Sequence, residues 1–233
     1  MDKQAFLELF PELVKNYRPA VDVLQKIGSI DLLIIIGPSG VGKTTVIRNI
    51  GLPFTASDVT RSARPEEVDG VDYHFRTDYG QIVNDIKGGR FVQIAVSPDG
   101  EFYATRESSY PPSGPAVMAV VADVVPVFRR LGFNRTISAF ITPPSFEEWM
   151  NRMKTHELSS EQLVKRLVEA KRSLSFALSD DQTHFILSDE VGATLAQTKG
   201  LLSAKPDLQR EESARDIASQ LLQRLEQNDA QLV

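Results

Sequence analysis

The chain has 233 residues, 42% hydrophobic and 24% charged. That balance excludes a disordered chain and suits one α/β domain, or a core with a small inserted lobe. A formal net charge of −5 gives no general attraction to nucleic acid or to an anionic membrane. The absence of cysteine excludes disulfide scaffolds, cysteine-ligated zinc, thiol catalysis and iron–sulfur clusters. His74, His156 and His184 do not have the spacing of a metal motif.

From the N-terminus, Phe6, Leu9, Phe10, Leu13, Val14 and Tyr17 recur at helical spacing, with a kink or break expected at Pro11 and Pro19. A second short helix is expected from Val21 to Ile27, closed by Gly28. Residues 1–30 thus read as a helical extension that packs on the core, or as a regulatory or dimerising arm. Asp31 to Ile36 is a continuous apolar run suited to a strand buried on both faces. From 54 to 105 the texture becomes β-rich. A strand is expected at Tyr73 to Thr77 and a helix at Asp78 to Ile86. A hairpin is expected from Phe91 to Val96 and Phe102 to Thr105, turned at Pro98-Asp99-Gly100.

Further strands are expected at Ala116 to Ala122, Thr136 to Ile141 and His184 to Leu187. A helix begins at Phe146, with Trp149 read as packing. Ser159 to Gln162 is a capping box opening a long helix. Its apolar stripe is Leu163, Leu167, Ala170, Leu174 and Ala177. Residues 201–233 read as a linker around Pro206 and an amphipathic helix carrying Ile217, Leu221 and Leu225. No apolar run approaches the roughly 18–20 residues that a membrane span needs, and the N-terminus has no signal-peptide core. A cytoplasmic protein is expected.

Chemistry enters at Gly37-Pro38-Ser39-Gly40-Val41-Gly42-Lys43-Thr44, with Thr45 following. The pattern is a complete Walker A loop placed between a buried strand and a helix. Its glycines let successive N–H groups aim at one anion. Lys43 is expected to reach the β- and γ-phosphates of ATP, and the Thr44 hydroxyl to ligate Mg2+. No Asn-Lys-x-Asp guanine-reading motif is present. A second anion site is expected downstream, where Arg61 and Arg64 lie three apart and can aim two guanidinium forks at one phosphate, with the Tyr73 phenol as a further donor.

Taken together, Gly37 to Thr44, Thr60-Arg61-x-x-Arg64-Pro, Glu67-Val-Asp-Gly-Val-Asp-Tyr-His-Phe75 and Pro143-Pro-Ser-x-Glu-Glu148 resemble the guanylate kinase family. The resemblance runs from about Ile34 to Asp189. It implies an α/β fold: a P-loop parallel-sheet core and a helical lid (31–53 and 106–200) with an inserted β-rich lobe for the nucleoside monophosphate (54–105). It also implies transfer of the γ-phosphoryl of ATP to GMP with Mg2+. By motif position, Arg61, Arg64, Tyr73 and Tyr103 would hold the acceptor phosphate, and Ser57, Gln93 and Thr105 would face the base. Arg152 and Arg166 would neutralise charge on the transferring group. The partners implied are small nucleotides rather than nucleic acid or membrane, with a homodimer left open.

The chain departs from the family pattern at four places. Gln93 stands where the family has glutamate. Asp123 is the surviving aspartate of the family's Asp-x-Asp strand and is kept as an acceptor-side residue. His156 stands at a lid position that is usually arginine. Leu187-Ser-Asp-Glu190 replaces a Val-Asn-Asp-Asp segment. Two alternatives follow: a kinase of another phosphorylated acceptor, and a guanylate-kinase-like binding module without activity.

Overall fold

The computed structural model describes residues 1–65, 67–97, 99–154 and 159–229. It is a mixed α/β chain whose contacts divide it into two compact units. One comprises Met1–Leu32, Pro53–Ala116 and Pro126–Arg135; the other comprises Leu33–Leu52, Val117–Val125 and Thr136–Val233.

In chain order, α1 (Lys3–Asn16) and α2 (Val21–Ile27) precede β1 (Ile30–Ile36) and α3 (Lys43–Asn49). Then come β2 (Ser57–Val59), β3 (Tyr73–Phe75), α4 (Tyr79–Lys87), β4 (Phe91–Val96) and β5 (Phe102–Arg106). The remaining elements are β6 (Gly114–Ala119), α5 (Val125–Arg129), β7 (Arg135–Thr142), α6 (Phe146–Lys154), α7 (Ser160–Ser179), β8 (Thr183–Leu187), α8 (Val191–Leu202) and α9 (Leu208–Asp229). No helix of the described residues is long and apolar enough to cross a membrane.

The core sheet has the order β6-β1-β7-β8, with β7 and β8 parallel. Every residue of β1 except Asp31 is buried, as a strand covered on both faces requires. The capping box at Ser159 and Gln162 opens α7 as its spacing predicts. α9 buries Ala214, Ala218, Leu221 and Leu225 and packs on β8 and α7.

The second sheet, β3-β2-β5-β4, lies wholly in the first unit. The expected hairpin of β4 and β5 forms, closed by Ser97 N–H donating to Glu101 O (2.8 Å). Pro98 of its turn lies outside the described residues. Behind the hairpin, α1 is built into the core: Phe6 and Phe10 pack with Phe91, Phe102, Ile82 and Ile86. Phe6 meets Phe102 edge-on at 5.6 Å, a favourable ring geometry.

Three local expectations change. Pro11 neither ends nor divides α1, which continues to Asn16. Proline removes a backbone donor there, but Phe6 and Phe10 before it and Leu13 after it pack on one core cluster. Gly28 does end α2, but at φ −63°, so it stops the helix without a left-handed turn. A helix the periodicity did not reveal, α8, fills 191–202.

Because α1 supplies Phe6 and Phe10 to a core cluster, Phe6→Ala should destabilise the protein by about 3–5 kcal/mol. Urea unfolding measures this, and a change below about 1 kcal/mol would mean that α1 is peripheral.

Candidate active site

The first half of the site grows from the end of β1. Gly37 takes φ 138°, and a Cβ there would lie 2.9 Å from the Ile141 carbonyl oxygen of β7. Gly42 takes φ 103°, and a Cβ would meet the Ser188 hydroxyl at 3.0 Å. Only glycine fits both positions, because each combines a positive φ with a neighbour at van der Waals limit. The Lys43 ammonium folds back and donates to the Gly37 and Pro38 carbonyls, both at 2.7 Å. Thr44 and Thr45 stand exposed in the first turn of α3, and Val41 is fully buried beneath the loop.

Three elements of the same unit grip this loop. From α6, the buried Trp149 indole donates to the Ser39 carbonyl at 2.8 Å. Trp149 and Met153 also border Gly40. From α7, Arg166 donates to the Ser39 hydroxyl at 2.9 Å. The turn after β8 brings Ser188, whose hydroxyl and carbonyl accept from Arg152 at 3.2 and 3.0 Å. Arg152 also donates to Glu148 at 3.1 Å. Arg152 and Arg166, far apart in sequence, therefore both reach the loop or the turn that caps it.

The second half lies on the β3-β2-β5-β4 sheet. Ser57 pairs with Tyr73, Val59 with Tyr103, and Gln93 with Thr105. Side chains alternate between the faces of a strand, so Ser57, Tyr73, Gln93, Tyr103 and Thr105 share one face. Phe102, Ala104 and Ile94 take the other, against α1 and α4. Gln93 is 6% exposed and Thr105 1%. The buried Tyr110 hydroxyl lies 3.2 Å from the Thr105 hydroxyl. Burial pushes the Tyr110 phenol up, so it stays protonated.

Arg61 stands at the edge of this face. Its guanidinium makes a two-pronged ion pair with Glu67, both bonds 2.6 Å, and lies 4.7 Å from the Tyr73 ring centre. Glu67 also accepts from the Arg64 backbone N–H at 2.9 Å, while the Arg64 side chain is 58% exposed. Burial pushes the Glu67 carboxyl up, but the bonds from Arg61 and from the Arg64 backbone outweigh it and hold the group below its usual range. The Tyr103 phenol is raised by burial, and the neighbouring Arg61 charge opposes that rise.

On the opposite face, Asp58 is wholly buried and accepts from Arg76 (3.0 Å) and Arg106 (2.9 Å). Arg106 also reaches Asp85 of α4 at 2.7 Å. This network ties β2, β5 and α4 together behind the binding face.

The sequence-predicted residues thus form two groups. Gly37 to Thr45, Arg152 and Arg166 belong to one unit; Ser57, Arg61, Arg64, Tyr73, Gln93, Tyr103 and Thr105 belong to the other. Asp123 lies in the unit of the phosphate loop, ion-paired with Arg172 at 2.5 Å, and both side chains are more than half exposed. His156 lies outside the described residues. Sequence reading gave no role to Glu67, Ser188 or the Trp149 indole N–H. The one available signal for Trp149 was its spacing of three from Arg152, which puts both on one helix face.

A family model described as guanylate kinase matches residues 29–205. The chain is 34% identical over 175 residues to a guanylate kinase of Nostoc sp., covering 70% of this chain and 85% of that protein. It is 32% identical over 186 residues to guanylate kinase 1 of Oryza sativa subsp. japonica, covering 75% of this chain and about half (48%) of that longer protein. The crystal structure of guanylate kinase from Anaplasma phagocytophilum matches the fold with a TM-score of 0.54 at 22% identity, covering 76% of this chain and 86% of that one.

The Glu67 pair fixes a pH dependence. A carboxyl held below its ordinary value of 4.5 contributes stability that is complete above that value and lost as pH falls through the lower folded value. Glu67→Gln should therefore be less stable than the parent protein at neutral pH, and the gap should narrow at an acid pH below the lowered folded value. Chemical denaturation at both pH values tests this; an equal gap at both would show that the pair does not titrate in this way.

Proposed function

The chain belongs to the guanylate kinase family, and from that premise we propose that it transfers the γ-phosphoryl group of ATP to the phosphate of GMP, giving ADP and GDP. The observation that carries the proposal is the complete phosphate loop, gripped by Trp149, Arg166 and the Ser188 turn. The arginine–tyrosine anion site on the other unit supplies the second half of the reaction.

An oxygen of the GMP phosphate forms a bond to the γ-phosphorus, the bond from that phosphorus to the β–γ bridging oxygen breaks, and the electron pair leaves on ADP. A dianionic acceptor phosphate needs no proton removed, so the protein's work is positioning and charge neutralisation. Lys43 would exchange the Gly37 and Pro38 carbonyls for the β- and γ-phosphates. Arg152 and Arg166 would offset charge on the transferring group. We read residues 54–105 as the acceptor lobe, with Arg61, Arg64, Tyr73 and Tyr103 on the GMP phosphate and Ser57, Gln93 and Thr105 facing the base. Arg61 would then be shared between Glu67 and the phosphate. A role for Asp123 requires it to give up Arg172.

The described residues contain no acidic or histidine cluster able to hold a metal alone. The exposed Thr44 hydroxyl, added to nucleotide phosphates, is the donor set that Mg2+ accepts. Bound there, Mg2+ would supply charge neutralisation to the phosphates. The proposed location is the cytoplasm, where both nucleotides are available.

One observation favours broader acceptor use. Gln93 is buried on the binding face, and its amide offers one acceptor group and one donor group to a base edge. Guanine presents two donors at N1 and the 2-amino group, which a carboxylate would satisfy better.

The testing experiment is ADP formation from Mg·ATP with GMP, dGMP, AMP, IMP, XMP, UMP and CMP offered singly. GMP-dependent turnover is expected. Lys43→Ala should abolish turnover, and Arg61→Ala should raise the acceptor KM and lower kcat while leaving the ATP KM near its parent value. Silence across the panel, or turnover that survives Lys43→Ala, would overturn the proposal.

Gln93→Glu should raise the preference for GMP over IMP by about tenfold, the effect of repairing one mispaired buried polar edge. An unchanged ratio of kcat/KM values would show that Gln93 does not read the base.

A further inference from the structure

The stretch matched by the family ends at residue 205, and α9 lies wholly beyond it. This helix nevertheless holds two of the supports of the phosphate loop. At its N-terminal end, Arg210 donates to both Asp189 oxygens, at 2.6 and 3.1 Å, and reaches the Leu187 carbonyl at 3.4 Å. These are the residues flanking Ser188, which crowds Gly42 and accepts twice from Arg152. The Asp189 carboxyl is held below its usual range, chiefly by the Arg210 hydrogen bonds.

Fourteen residues on, about 21 Å along the helix, Arg224 stacks on the Phe146 ring at 4.2 Å and hydrogen-bonds Glu147. Phe146 in turn meets Trp149 edge-on at 6.0 Å, and Trp149 carries the bond to Ser39. Each arginine is thus one residue or one ring removed from a group that touches the phosphate loop. Ala214, Ala218, Leu221 and Leu225 seat the helix on its unit.

We propose that α9 is an external brace for the ATP half of the site, and that Arg210 and Arg224 are positioning residues acting through Ser188 and Trp149. The inference rests on the phosphotransfer reading for its kinetic consequences, but not for its binding consequence. Neither arginine touches nucleotide. Arg210 fixes the turn that caps Gly42 and docks Arg152; Arg224 fixes the start of α6, which carries Trp149 and Arg152.

Trp149 is the only tryptophan in the chain, so its emission reports the braced loop directly. The test compares the full-length parent protein with Arg210→Gln, Arg224→Gln and the double variant. Each is titrated with Mg·ATP by tryptophan fluorescence, then assayed for kcat and both KM values. For Arg210→Gln, weaker Mg·ATP binding and lower kcat are expected, roughly ten- to a hundredfold in kcat/KM for ATP. The GMP KM should stay within about twofold, since both arginines act on residues of the phosphate-loop unit. Arg224→Gln, an exposed contact, should give a smaller loss in the same direction.

Reversing the ion pair, with Asp189→Arg and Arg210→Asp together, should restore most of the loss. Should Arg210→Gln not fold, Arg224→Gln carries the same comparison. Unchanged Mg·ATP binding and kcat in the double variant would overturn the proposal. So would equal losses in both KM values accompanied by a fall in the unfolding midpoint. If the parent protein fails to turn over GMP while the variants still lose the Mg·ATP-dependent emission change, the phosphotransfer reading falls and the brace stands.

Discussion

The close approach of Gly37 to the Ile141 carbonyl is the constraint on which the ATP half of the site depends. With 2.9 Å between that oxygen and the place of a Cβ, the loop can lie flat against β7 only because it carries no side chain there. Lying there, the loop takes supports from three directions: the Trp149 indole on the Ser39 carbonyl, the Arg166 guanidinium on the Ser39 hydroxyl, and the Ser188 turn beside Gly42. A larger residue at 37 would lift the loop from all of them at once. The expected loss is therefore one of geometry, and phosphoryl transfer is sensitive to geometry because positioning supplies so much of its rate.

The β3-β2-β5-β4 sheet obeys a different constraint, the alternation of strand side chains. One face carries Ser57, Tyr73, Gln93, Tyr103 and Thr105; the other is closed by aromatic rings of α1 and by the buried Asp58 network. An isolated buried carboxylate would be costly. Asp58 is compensated by two arginines, one of which reaches on to Asp85.

How much was legible in the sequence follows from which interactions are local. β1 and the phosphate loop were readable because a buried strand and a glycine pattern are written in consecutive residues. The hairpin was readable because two β-rich runs flank a Pro-Asp-Gly turn in consecutive residues. The helix α8 was not, because its buried side is polar: Thr194 donates to Leu187 O and Glu190 O, and Gln197 bridges the Phe185 carbonyl and the Leu187 amide. No apolar stripe exists for periodicity to find. Phe6 and Phe10 announced an amphipathic helix, but no spacing states which surface such a helix covers. Glu67 was visible as part of a motif, yet its hold on Arg61 depends on how the 61–75 loop closes.

Each terminal helix buries an apolar side on its own unit. α1 contributes Phe6 and Phe10 to the core of the acceptor lobe. Through Lys3 it pairs with Glu101 at 2.5 Å, whose other oxygen accepts from the Thr60 hydroxyl beside Arg61. α9 contributes an apolar stripe and two arginines to the unit of the phosphate loop. Each unit therefore has its own terminal helix outside the stretch matched by the family model, α1 reaching the neighbour of Arg61 and α9 reaching the neighbours of Ser188. On the proposed reading, Gln93 bears on which base is accepted, whereas α9 bears on how firmly the phosphate loop is held. Those two effects would fall on different kinetic constants, the first through the acceptor and the second through ATP.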